Sequence, residues 1–273
     1  LWGAPALAFF RRLGDVPQAA LVMGTAAAFY ITPLIFVYGI LLVVLLFLIS
    51  FRPMWGLALI TFSMPFYGRE QLFIPLYGSI GILKPILAYR FSPTELFTLI
   101  TVGALMLYVA RGKTQKAIQN LTSVDYAVLA FVLIATISLF FTERLSVATN
   151  EWRLVIIEPA LFYGLLRVVP LTRDDIWKLL DAFVLSGVVI AVYGLLQVLF
   201  GFDSTITAEG GLQRVQSLYG SPNNVALYFG RIIPLLLAFL LFGGKRGATH
   251  QLSVEISADS LTPTRWWAYL MAT

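Results

Sequence analysis

The chain has 273 residues, 59% of them hydrophobic and 12% charged, with net charge +5 and mean hydropathy +0.85. Soluble domains carry about a quarter charged residues, so the composition excludes an ordinary soluble fold and implies an all-α, polytopic transmembrane helix bundle. The absence of cysteine and the single histidine, His250, exclude disulfides, thiolate chemistry and a metal cluster, and no cofactor motif stands out. Lys and Arg are scattered through short loops, which fits membrane topology rather than a nucleic-acid surface.

A spanning helix needs roughly 20 apolar residues. Ala19–Ser50 has no charge over about 32 residues, about 48 Å as helix. Thr32-Pro33 divides it into a hairpin of a short helix, about 18–31, and a longer one, 33–50. Arg52-Pro53 marks the next turn, and Trp55–Phe66 is short for a span. Phe73–Leu87, broken by Pro75, Gly78, Gly81 and Pro85, reads as re-entrant or interfacial. Ser92-Pro93-Thr94-Glu95 opens a span over Pro93–Ala110. Val124–Phe141, Leu154–Val169, Leu179–Phe200 and Asn223–Phe242 follow, and another begins near Arg265. The expectation is about eight spans plus a truncated one. An apolar run reaching Thr273 and a start at Leu1 suggest a single transmembrane domain over 1–273, the N-terminal part of a longer chain.

Arg111, Lys113 and Lys116 mark one cytoplasmic loop; Arg167, Arg173 and Lys178 mark a second, and Lys245 with Arg246 a third. Loops 142–153, 201–221 and 67–92 then face outward, while Arg52, Arg11 and Arg12 face inward. His250 falls in an inner, solvated loop.

The most informative stretch is Arg214 through Tyr219-Gly220-Ser221-Pro222-Asn223-Asn224, at the outer mouth of a span. A guanidinium can hold phosphate oxygens bidentately. The helix start beside Asn223 and Asn224 adds unpaired N–H groups and a positive dipole end. Ser221 and Pro222 fit a capped start. An arginine anchored to lipid headgroups beside an ordinary cap is the alternative.

Glu158 and Arg231 lie inside spans, about 8 Å and about 12 Å from the helix starts. They are candidates for a buried ion pair beside an outward cavity. A bridge that only fixes helix register is the alternative to a catalytic carboxylate. Arg153 and Arg144 sit at the outer boundary, and Arg153, about one turn above Glu158, is a candidate for the same cavity. Pro159 predicts a kink, and Gln197 an interhelical contact.

These pieces, in order, resemble the O-antigen ligase/polymerase superfamily of bacterial envelopes. They are Arg52-Pro53, Ser92-Pro93-Thr94-Glu95-Leu96, Ile137-Ser138-Leu139, Glu158-Pro159-Ala160-Leu161-Phe162-Tyr163, Gly194-Leu195-Leu196-Gln197, and the Arg214–Ala226 stretch with Pro234 beyond it. The resemblance implies a glycosyltransferase without metal, nucleotide or other cofactor, in the bacterial inner membrane with its active face outward. Its partners would be an undecaprenyl-pyrophosphate-linked glycan donor and a lipid A core or glycan acceptor. Carried over by position, Arg214 would meet the carrier pyrophosphate, with Asn223, Asn224 and Arg153 as further substrate-binding candidates. The family's catalytic histidine would lie beyond residue 273, so the fragment alone is expected to be inactive. Competing readings are a secondary transporter or flippase of a lipid-linked or anionic substrate, and a non-catalytic scaffold. No repeat between halves, which transport would favour, is evident.

Overall fold

The computed structural model describes residues 10, 12–31, 35–66, 71–72, 90–113, 121–201, 207–209, 212–219 and 221–243. The segment expected to be re-entrant, His250 and the run near Arg265 lie outside these. The chain divides into two compact units, Leu1–Ser186 and Gly187–Thr273.

The first unit is a helical bundle. Helices α1 (Asp15–Ile31) and α2 (Ile35–Phe51) form the two arms expected on either side of Pro33. At the end of α2, Pro53 turns the chain directly into α3 (Met54–Ser63): the Arg52 carbonyl accepts from Trp55 N–H at 3.0 Å, and that of Pro53 from Gly56 N–H at 3.0 Å. The 3-10 turn Met64–Phe66 ends this segment, and a short antiparallel pair, β1 (Gln71–Leu72) with β2 (Arg90–Phe91), precedes the next helix.

Helix α4 (Pro93–Tyr108) begins with a capping box, in which the Ser92 hydroxyl accepts from Glu95 N–H and the Glu95 carboxylate accepts from Ser92 N–H. It ends in a π-helical turn, Val109–Lys113. The buried core gathers Val22 and Phe29 of α1, Leu45 and Ile49 of α2, Leu57 and Ile60 of α3, Phe97 and Ile100 of α4, and Leu165 farther along the chain. Helices α3 and α4 cross closely because Gly56 lacks a side chain. A Cβ there would run into Thr101 and lie 2.8 Å from Ile49 Cγ2.

Helix α5 (Ser123–Ser138) runs into a 3-10 turn, Leu139–Phe141. Most of its side chains, including Leu133, Ile134 and Ile137, are exposed. An apolar surface this continuous is what lipid would cover.

Residues 142–153, expected to be an outer loop, are largely helical: α6 (Leu145–Glu151) leads through a π-helical segment, Trp152–Ile157, into α7 (Glu158–Val168). The stretch lacks an apolar run, so hydropathy did not mark it. Pro159 accompanies a widened turn, since it has no N–H with which to continue the α ladder.

Helix α8 (Arg173–Phe200) starts six residues before the expected Leu179 and contributes to both units. In the second unit, the predicted outer loop contains a hairpin, β3 (Thr207–Glu209) with β4 (Leu212–Arg214), in which Thr207 pairs with Arg214. Helix α9 (Pro222–Gly243) follows, with Pro234 inside it. Among the described residues, four helices are long and apolar enough to cross a membrane: Pro93–Arg111, Ser123–Phe141, Arg173–Phe200 and Pro222–Leu241. Phe36–Phe51 and Met54–Phe66 are shorter apolar helices.

Candidate functional site

In the second unit, Arg214 ends β4 and its Nη2 donates to Asn223 Oδ1 at 2.8 Å. Asn223 sits in the first turn of α9, where its backbone N–H donates to Ser221 Oγ and the N–H of Asn224 donates to the Ser221 carbonyl at 3.2 Å. Arginine, cap and Asn pair are thus brought to one helix start, as their spacing in the sequence had suggested. The hairpin that delivers the arginine was not foreseen, because its strands are only three residues each.

The intervening loop is fixed on the C-terminal half of α8. Ser217 Oγ donates to the Ile190 carbonyl at 2.8 Å, and Gln197 Nε2 donates to the Ser217 carbonyl at 3.1 Å. Gln197 is fully buried, and Ser217 holds a left-handed backbone, φ +51°, without being glycine. The loop passes so close to α8 that a Cβ on Gly194 would lie 3.0 Å from Val215 Cγ1. Gln197 thus contacts a loop carbonyl rather than the neighbouring helix expected of it.

A shallow open groove of about 600 Å³ runs along α9, lined by Asn223, Ala226, Leu227, Gly230 and Arg231. These positions recur at helical spacing and form one stripe. Small and apolar side chains occupy its middle. Asn223 and Arg231 stand at its ends, about 12 Å apart along the axis. Arg231 is exposed, and α9 contains no acidic residue. Pro234 has no N–H to offer the Gly230 carbonyl, which leaves a further acceptor near the arginine. The site can hold an anion at a helix mouth with an apolar tail along the helix.

Arg153 and Glu158 belong to the first unit and Arg231 to the second. Arg153 Nε lies 2.7 Å from Glu95 Oε1, an acid that the sequence had marked only as a helix cap. Glu158 lies within electrostatic reach of both.

Two further charged clusters escaped sequence reasoning. Asp125 accepts from Thr122 N–H at 2.6 Å, Tyr163 Oη at 2.7 Å, and Arg167 Nε and Nη2, each at 3.0 Å. Arg52 meets Asp15, Asp175 (3.0 Å) and Gln18 (3.0 Å), while Lys178 lies 2.7 Å from Asp15. A signal was present, since Thr122–Asp125 and Thr172–Asp175 both have the Ser/Thr-x-x-acid form of a capping box. Both clusters are internally saturated and read as fasteners. Among the described residues no group of three or more His, Asp or Glu is placed to hold a metal ion.

No family model matches the chain, and no curated protein or solved structure matches it either.

Proposed function

We propose that the protein is a membrane glycosyltransferase that moves a glycan from an undecaprenyl-pyrophosphate carrier to lipid A core or to another carrier-linked glycan, at the outer face of a bacterial inner membrane. The observation that carries this reading is the Arg214 guanidinium, held on Asn223 at the mouth of an apolar helix whose groove continues to Arg231. The ordered resemblance across about 50–240 to O-antigen ligases and polymerases supports it.

In this reaction an acceptor hydroxyl attacks the anomeric carbon and gives its proton to a general base, while the bond to the pyrophosphate oxygen breaks and the carrier pyrophosphate leaves. Negative charge grows on the leaving group. A fixed guanidinium and the positive end of the α9 dipole stabilise it without reorganisation. The apolar middle of the groove suits an isoprenoid chain.

The test uses the full-length gene product in liposomes with an undecaprenyl-pyrophosphate-linked glycan. Arg214→Ala is expected to lower carrier pyrophosphate release by roughly 100-fold or more while the protein stays folded. Folded wild-type protein that turns over no carrier-linked glycan would shift the reading to a secondary transporter or flippase.

A further inference from the structure

In the first unit, Arg153 pairs with Glu95, and a second carboxylate, Glu158, lies within electrostatic reach of that pair. Glu95 is committed on both oxygens: Oε2 accepts from Ser92 N–H at 2.8 Å and Oε1 faces Arg153 Nε at 2.7 Å. Its side chain is 7% exposed and that of Arg153 26%. Glu158 lies within electrostatic reach of both, and its Oε1 is shielded from solvent without a hydrogen-bond partner among the described residues. Local structure creates the grouping. In the π-helical segment the Glu158 N–H donates to the Arg153 carbonyl, five residues back, which sets the two side chains one widened turn apart.

The cluster holds one positive and two negative charges when all three groups are ionised. Among the described residues of the elements packed against this turn, the further cation is Arg167 of α7, which is held by Asp125. Helix α3 has no titratable side chain, and α4 brings Glu95 itself. Asp125 of α5 is occupied by Tyr163 and Arg167. Helix α6 offers Glu151, which is exposed and acidic. A shielded carboxylate oxygen without a hydrogen-bond donor, beside a guanidinium already paired with another acid, is costly, whereas a neutral carboxyl is far less so. We propose that Glu158 is a proton-binding site. One proton adds to its carboxylate and makes the cluster neutral, and the proton leaves when the Glu95–Arg153 pair opens and the guanidinium turns to Glu158.

Infrared spectroscopy of the chain in lipid vesicles at neutral pH tests this without any substrate. The wild type is expected to show the C=O band of a protonated carboxyl, shifted in D₂O and lost in Glu158→Gln. Glu95→Gln leaves Arg153 to Glu158 alone, so the band should disappear at a lower pH than in the wild type. Absence of the band from the wild type at neutral pH, its survival in Glu158→Gln, or an unchanged titration in Glu95→Gln would each overturn the assignment. If Glu158→Gln fails to fold, the wild-type and Glu95→Gln spectra still decide.

Discussion

Ser217 bears two demands at once. Its backbone sits at φ +51°, a region where a side chain is strained, while its hydroxyl ties the loop to the Ile190 carbonyl. Ser217→Ala removes the tether and keeps the strain, at a cost of about 1 kcal/mol. Ser217→Gly removes both, so it should loosen the loop less. Amide exchange across 214–219 is expected to rank wild type slowest, glycine next and alanine fastest. Asp15 gives a pH prediction. Burial would raise its pKa, but hydrogen bonds from Lys178 and Arg52 outweigh that and hold it below the ordinary aspartate value of 3.8. A carboxyl depressed by folding contributes fully above its unfolded pKa and loses that contribution as pH falls through the folded one. Acid melts should therefore show the Tm of Asp15→Asn converging on that of the wild type below about pH 3.8, with the wild type higher near neutrality.

Three helices share one device. The acids Glu95, Asp125 and Asp175 each close a helix start with one oxygen and hold an arginine from a distant element, Arg153, Arg167 and Arg52, on the other, and Arg167 also reaches the capping oxygen of Asp125. Each thereby satisfies an orphan N–H and places a cation against a carboxylate. A helix end is thus joined to a specific neighbour as well as capped. Helix crossing depends equally on missing atoms. With Thr101 and Ile49 against Gly56, Gly56→Leu must push α3 away from α4 or force poor rotamers, at about 1–3 kcal/mol or more. A lowered Tm in detergent is the expected result. Gly230, beside which a Cβ would meet nothing within 4 Å, supplies the control, and Gly230→Ala should leave Tm nearly unchanged.

At the scale of the whole molecule, orientation is directly testable because the chain contains no cysteine. Single cysteines at Glu143 and Gln213 should react with a membrane-impermeant maleimide from outside. One at Gly112 should react only after the membrane is opened. The reverse pattern would invert the charge-based orientation. What could be read in advance was what acts over a few residues. Pro33, Pro53 and the Ser92 cap mark breaks and starts through their own backbone chemistry, and α1 to α4 follow them closely. Hydropathy could not place α6, which is short and holds no apolar run, nor the three-residue strands that bring Arg214 to Asn223. It singled out Arg153 and Glu158 through the rarity of charge in apolar runs. Glu95 stayed hidden because a capping acid already has a local explanation, and its second oxygen answers to a residue far along the chain. That distance also sets a timetable. As the ribosome delivers the chain, Glu95 and Asp125 emerge before Arg153 and Arg167, whereas Asp175 emerges after Arg52. The first two helix starts must wait with an unanswered charge, and the third arrives to find its partner already in place.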